Sequence, residues 1–547
     1  MKQRCSGAIY RTNNSAIYRA NKGKVYLTGA GPGDPGLITL KAIECLKKAK
    51  VVIYDRLVNP ELLKYAPKDA EILYAGKASK KHSLSQDEIN RLIVKKAKEG
   101  KTVVRLKGGD PFLFGRGAEE ALELAKNKIP FEVIPGVSSA IAVPAYAGIP
   151  LTHREFTSSV GIFTGHEDPV KKSSRIDWEK ISAGLGTQVF LMGVENLSFI
   201  VKNLLSHSRP KSTPCCLIQE GTTPRQKTVT ANLGTIVLKA KQAKILPPAI
   251  LVVGEVVSLR KQLNWLENKP LFGKKILITR PKGEDIRFSQ ILEEYGASCV
   301  ELPAIAIKPL SDYSQLDAAI KDISGFQWLI FSSRNGVRFF KQRLDVMGQQ
   351  TGEFISLSFP RKRESRQLDF LNQNLNRLKK IKIAAIGPRT ASALESLGLR
   401  VHLQPDKFCQ EGMLKSFGRL KLKSQNILII NALEARDVLA RGLAKMGNRV
   451  TTAPVYQTDN ACLPARQGRL TLDDKKNSLK DIDIITFTSS LAARNFLKTR
   501  FKNTLIASIG PITSRAIRTA GFKVNIEATE YTLEGLGKAI VKYYKNR

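Results

Sequence analysis

From Lys24 onward, short apolar runs alternate with stretches whose apolar residues recur at helical spacing. Lys24-Val25-Tyr26-Leu27-Thr28 reads as a strand and stops at Gly29-Ala30-Gly31-Pro32-Gly33. Leu37 to Lys50 then places Leu37, Leu40, Ile43 and Leu46 at helical intervals, and Val51-Val52-Ile53-Tyr54 returns to strand. Runs that are apolar throughout, rather than alternating, predict parallel strands covered on both faces. The pattern recurs at Val103-Val104-Arg105-Leu106, Phe131-Glu132-Val133-Ile134, Val189-Phe190-Leu191-Met192 and Ile250-Leu251-Val252-Val253. Glu267 to Gly273, punctuated by Pro270 and Gly273, predicts a linker, after which the cycle restarts at Lys275-Ile276-Leu277-Ile278-Thr279. The expected fold class is α/β throughout.

The second half contains an internal echo. Trp328-Leu329-Ile330-Phe331-Ser332-Ser333 resembles Ile484-Ile485-Thr486-Phe487-Thr488-Ser489-Ser490, and Ile383-Ala384-Ala385-Ile386-Gly387-Pro388 resembles Leu505 to Pro511. Each is a strand ending in small or Gly-Pro residues ahead of a helix. Such carboxyl ends are where α/β sheets bind ligands, so two similar lobes facing a cleft are expected. The helix N-termini behind them would offer N–H groups to anions.

The chain has 547 residues, which at roughly 150 per domain suggests three to four domains. Its 88 Lys and Arg against 48 Asp and Glu leave a formal charge of +40, compatible with nucleic acid, anionic membrane or acidic small molecules. The basic residues are scattered singles and pairs such as Lys47-Lys48 and Lys274-Lys275, without a basic block, zinc-finger spacing or ribonucleoprotein aromatic motif. A nucleic-acid partner is therefore not expected, and no apolar run reaches the ~20 residues of a membrane helix. The seven cysteines contain no CxxC pair and fit a reducing, cytoplasmic setting; no metal site is expected. Residues 1–23 hold a repeated Ala-Ile-Tyr-Arg and no apolar signal core, and read as a disordered basic extension.

Candidate chemistry collects at strand exits. Gly31-Pro32-Gly33-Asp34-Pro35-Gly36 fits a dinucleotide fingerprint, but its prolines remove the N–H groups a pyrophosphate needs. Asp55 ends the second strand as a candidate base or, alternatively, a loop cap or partner of Arg56. In Lys107-Gly108-Gly109-Asp110-Pro111-Phe112, two glycines allow close backbone approach and Asp110 can accept from a hydroxyl or amine. Pro135-Gly136-Val137-Ser138-Ser139 is a second small-residue wall.

On these motifs, with Tyr54 to Val58, Phe114 to Gly117 and Tyr146 to Arg154, residues 25–266 resemble the uroporphyrinogen-III C-methyltransferases. The resemblance implies S-adenosylmethionine as donor, a tetrapyrrole acceptor and two α/β domains (about 24–136 and 137–266) with the site between them. It also implies a homodimer formed through this half. The donor site would comprise Pro32, Gly108, Gly109, Asp110 and Leu113, with Ser138, Ser139, Met192 and Gly221. The family's proton acceptor falls on Asp55 and its proton donor on Lys77, which otherwise reads as a surface lysine.

Residues 274–547 resemble uroporphyrinogen-III synthase through Ile278-Thr279-Arg280-Pro281, Phe331 to Val337, Ala385 to Thr390, Val455-Tyr456-Gln457-Thr458, Phe487 to Ser490 and Ile509 to Thr513. This implies closure of hydroxymethylbilane to uroporphyrinogen III with inversion of ring D and loss of water. It also implies two lobes (about 274–304 with 459–547, and 305–458) joined by a two-stranded connection. Tyr456 is the catalytic candidate, or alternatively a packed hinge residue; Arg280, Ser333, Thr488 and Thr513 are candidates for holding substrate carboxylates. A basic, proline-broken segment near 354–372 departs from the pattern and reads as an inserted surface loop. The expected protein joins C2 and C7 methylation of uroporphyrinogen III, giving precorrin-2, to the synthesis of that substrate. The alternatives are a methyltransferase with a non-catalytic synthase half, and a basic nucleic-acid-binding protein.

Overall fold

A computed structural model describes residues 23–76, 84–166, 176–280, 286–350, 377–460, 481–497 and 504–546. Lys77, residues 1–22 of the N-terminal extension and the segment 354–372 lie outside the described residues.

Four five-stranded sheets organise the chain. The first is built from β1 (Val25–Gly29), β2 (Val51–Tyr54), β3 (Glu71–Tyr74), β4 (Val103–Lys107) and β5 (Phe131–Ile134), in the order β3-β2-β4-β1-β5. Every pair is parallel, so all five carboxyl ends emerge on one edge. Helices α1 (Leu40–Lys48), α2 (Gln86–Lys98) and α3 (Gly117–Lys126) connect the strands. Thr39 caps α1, accepting from Ala42 N at 3.2 Å; the helix therefore starts three residues later than the apolar spacing suggests. Ser85 and Glu88 form a capping box that starts α2.

The chain crosses to the second sheet through α4 (Ser139–Tyr146). Its strands are β6 (Val160–Thr164), β7 (Thr187–Leu191), β8 (Pro214–Gln219), β9 (Lys227–Asn232) and β10 (Ala249–Val253), ordered β6-β7-β10-β8-β9. Here the expectation of parallel strands fails: β10 runs antiparallel to both β7 and β8, and β8 and β9 pair antiparallel. The apolar run at 250–253 correctly signals a strand buried on both faces, but burial carries no information about direction. Cys215 and Cys216 sit inside β8, where burial pushes both thiols up to about 12. Neither should alkylate when native protein is treated with iodoacetamide at pH 8; modification of either, read by mass spectrometry, would show that β8 opens.

The third sheet holds β11 (Lys275–Ile278), β12 (Ser298–Glu301), β18 (Ile484–Phe487), β19 (Leu505–Ser508) and β20 (Ile526–Glu527), all parallel, in the order β12-β11-β18-β19-β20. The fourth holds β13 (Ile305–Lys308), β14 (Trp328–Phe331), β15 (Lys382–Ala385), β16 (Asn426–Ala432) and β17 (Arg449–Asn460), ordered β13-β17-β16-β14-β15. Only β13 and β17 are antiparallel there, pairing Ile305 with Asn460 and Lys308 with Gln457. The echoed motifs occupy equivalent places: β14 pairs with β15 in one lobe, and β18 with β19 in the other.

Candidate active site

The exits of β1, β4 and β5 meet at three glycines. A Cβ on Gly29 would lie 2.5 Å from Gly136 Cα and 2.7 Å from Gly109 O, so no side chain fits between these backbones. Gly31 and Gly109 exchange backbone hydrogen bonds (Gly109 N to Gly31 O, 2.8 Å; the return bond, 3.2 Å), and both have positive φ, 79° and 67°. At Gly109 an added Cβ would stand in van der Waals contact with the start of α4, 3.8 Å from Ser139 N and 4.0 Å from Ser138 Cα. Ser138 caps that helix, accepting from Ala140 N at 3.2 Å.

The Asp110 carboxylate takes backbone donors from two loops. One carboxylate oxygen accepts from Phe112 N (2.8 Å) and Leu113 N (3.1 Å), and the other from Gly136 N (2.9 Å). Both oxygens thus tie the β4 loop to the β5 exit. Leu113 reaches across to pack on the apolar cluster of the second sheet.

The second sheet closes the other side. Thr222 Oγ1 accepts from Asp34 N at 3.1 Å, and Tyr146 donates to Asp34 at 2.8 Å. Burial and the Asp34 charge push the Tyr146 phenol well above its usual range. Gly221 abuts Val143 of α4, leaving no space for a side chain, and Met192 follows β7 with φ 57° and a half-exposed side chain. The loop after β1 therefore meets the loop after β8, with Pro32 between the Gly31 and Gly33 contacts.

Asp55 follows β2, its N–H on Leu106 O at 3.3 Å and its side chain 28% exposed. Its neighbour is not Arg56 but Arg105, whose Nη2 lies 2.5 Å from Oδ1; Lys107 Nζ is 3.8 Å from Oδ2. Behind these cations, Glu120 Oε1 accepts from Arg105 Nε (3.0 Å) and Lys107 Nζ (2.8 Å). Burial, then the Arg105 charge, pulls the Lys107 ammonium below its ordinary range. Sequence reasoning missed Arg105, Lys107 and Glu120. The signal was present: two cations at i and i+2 inside an apolar strand share one face.

In the second half, Arg280, Thr488 and Thr513 follow β11, β18 and β19, which are neighbours in one sheet and share its carboxyl edge. Thr513 lies in the first turn of the helix Pro511–Thr519 and is largely buried. Ser333 follows β14 in the other sheet, caps the next helix by accepting from Gly336 N at 3.0 Å, and lies 3.1 Å from the Tyr456 hydroxyl. Tyr456 is largely buried, stacked on Phe339. Among the described residues, no group of His, Cys, Asp or Glu could hold a metal, and no helix is long and apolar enough to cross a membrane.

The fold and site define a chain of two catalytic-type α/β modules: a glycine-walled cleft between two sheets, followed by a two-lobed unit. Residues 24–237 match the family of Tetrapyrrole (Corrin/Porphyrin) Methylases, and residues 286–538 match Uroporphyrinogen-III synthase HemD. The "Porphyrin biosynthesis protein HemD" of Ruminiclostridium josui is 37% identical over 477 residues, covering 86% of this chain and 88% of that protein. The "Uroporphyrinogen-III C-methyltransferase" of Methanocaldococcus jannaschii is 56% identical over 234 residues, 43% of this chain and 96% of its own. The "S-adenosyl-L-methionine-dependent uroporphyrinogen III methyltransferase" of Methanosarcina barkeri is 51% identical over 233 residues, 43% of this chain and 91% of its own. The chain belongs to the tetrapyrrole methylase family in its first part and to the uroporphyrinogen-III synthase family in its second, as a fusion of the two.

Proposed function

We propose that the first part methylates uroporphyrinogen III at C2 and C7 to give precorrin-2, and that the second closes hydroxymethylbilane to uroporphyrinogen III. The observation that carries the reading is the meeting of the β1, β4 and β5 exits at Gly29, Gly109 and Gly136 beside Ser138 and Ser139 at the start of α4, with Asp55 on the neighbouring exit of β2. S-adenosylmethionine, when bound, supplies an electrophilic methyl group on a sulfonium sulfur. The residues fit such a donor: Pro32, Gly108, Gly109 and Leu113 would wall it from the first sheet, Ser138 and Ser139 from α4, and Met192 and Gly221 from the second. Asp110 would hold these walls in place.

Methyl transfer breaks the carbon–sulfur bond, forms a carbon–carbon bond on the macrocycle and leaves a proton to be removed. Asp55 is the acceptor we assign to that proton. Lys77 is retained as the proposed donor on the strength of the family motif. The product of ring closure is the acceptor for methylation, and both substrates carry many carboxylates, which suits the +40 charge. We assign the cytoplasm as the compartment and a second copy of the chain, through the methyltransferase half, as partner; sedimentation of the full chain tests the latter.

In the synthase half we assign Tyr456, whose hydroxyl lies 3.1 Å from Ser333 Oγ and whose ring stacks on Phe339, to hydrogen-bond the departing hydroxyl or the ring-closing intermediate. Tyr456→Phe should slow ring closure roughly ten- to a hundredfold while costing about 1 kcal/mol of stability. A wild-type rate would leave the tyrosine as packing only.

The test of the whole reading incubates the full chain with hydroxymethylbilane and S-adenosylmethionine and identifies the products. Uroporphyrinogen III, a dimethylated product and S-adenosylhomocysteine are expected. Only the isomer closed without inversion of ring D would remove the synthase assignment; no S-adenosylhomocysteine from supplied uroporphyrinogen III would remove the methyltransferase.

A further inference from the structure

Every residue of β4 is buried, yet the strand carries two cations on one face. Arg105 is in register with Ile53 of β2 and Leu27 of β1, so aliphatic neighbours flank it on both adjoining strands. Its side chain is 1% exposed, that of Lys107 4% and that of Glu120 0%. Burying such charges is costly, and well-packed apolar residues are often as stable or more so. Stability alone therefore does not explain the arrangement.

The geometry has a direction. Glu120 comes from the first turn of α3, and its Oε1 takes both cations as well as Gln86 Nε2 at 3.2 Å. Its other oxygen is buried without a hydrogen-bond partner among the described residues. Neighbouring Glu119 is exposed and pairs with Arg116 instead. Arg105 spans the cluster, with Nε on Glu120 and Nη2 on Asp55 and a carbonyl contact from Nη1 to Ile53 O at 3.4 Å. A planar guanidinium can fix two carboxylates at a set separation, which an ammonium cannot. Of the four charged side chains, Asp55 alone reaches solvent appreciably, and it follows β2 on the carboxyl edge of the sheet.

We propose that Glu120, Arg105 and Lys107 are positioning residues for methyl transfer, a buried network that anchors the Asp55 carboxylate from behind and aims it at the acceptor. This rests on the reading of Asp55 as proton acceptor. Two consequences follow from the chemistry. Donor binding, which uses the glycine walls, is independent of the network. The network's effect on turnover passes through Asp55 alone.

The experiment is a double-mutant cycle on the full chain, with uroporphyrinogen III and S-adenosylmethionine as substrates. Glu120→Gln should lower kcat about ten- to a hundredfold in an Asp55 background, the scale of a misplaced catalytic group, with KM for the donor and Kd for S-adenosylhomocysteine within about threefold. In an Asp55→Asn background the same change should alter the residual kcat by less than about twofold. Arg105→Lys, which keeps the charge and loses the fork, provides a milder variant should Glu120→Gln not fold, and should show the same dependence on Asp55. An equal loss of kcat in both backgrounds, or none in folded protein, overturns the network proposal while leaving Asp55 in place. A wild-type kcat for Asp55→Asn alone overturns the underlying assignment of Asp55, and the network proposal with it.

Discussion

Asp110→Ala is expected to lower the affinity for S-adenosylmethionine by at least about 100-fold, corresponding to ~2.7 kcal/mol. The Asp110 carboxylate accepts backbone N–H groups of Phe112, Leu113 and Gly136, and so joins two strand exits into one wall. Hydrogen bonds to a charged acceptor contribute ~1.5–3 kcal/mol each, and their loss frees the loop that carries Leu113. Asp110→Asn, which keeps the shape but offers one good acceptor oxygen, should fall between wild type and Ala. Calorimetry with S-adenosylhomocysteine distinguishes the cases. Undiminished uptake by a folded Ala variant would show that the wall stands without its tie.

The second large effect is on rate. Asp55→Asn should reduce methyl transfer about 10²- to 10⁴-fold, the usual contribution of a positioned proton acceptor. The amide is isosteric, so the turn in which Val58 N donates to Asp55 O at 3.2 Å should persist. S-adenosylhomocysteine binding should change little, because the donor walls are separate from this side chain. Single-turnover measurement of methyl transfer to uroporphyrinogen III reads the prediction directly. An unchanged rate would assign proton removal to solvent or to another group.

Much of the first cleft was legible from the chain itself. Gly29, Gly109 and Gly136 mark strand exits because apolar runs end there, and their spacing along the chain follows the parallel sheet they terminate. The donor-side residues were reached through resemblance on extended motifs; of them, Gly109 lies within van der Waals reach of Ser138 and Ser139 at the start of α4. Two things escaped. The direction of β10 was hidden because a doubly covered strand has the same composition whichever way it runs. The partners of Asp55 were hidden because Glu120 reaches it through cations on β4, from a helix whose own sequence carries three glutamates and marks none of them as the inward one. Asp55 could be found by its place at a strand end; the pairing with Arg105 across 50 positions could not. In the second half the shared edge of Arg280, Thr488 and Thr513 follows from adjacency of β11, β18 and β19, which sequence order conceals.

That adjacency has a consequence for how the chain is made. β11 lies beside β18, pairing Ile276 with Ile484, while all five strands of the fourth sheet are contained between Ile305 and Asn460. During synthesis the enclosed lobe can complete its sheet first, whereas β11 must wait, one apolar edge unpaired, until β18 emerges 206 residues after its own last residue (484 − 278). Domains generally assemble as units in the order they emerge, and distant pairings are the slow ones. A nascent chain halted after Asn460 should thus carry one finished lobe and a two-stranded stub, and it is the stub that would need a chaperone's shelter.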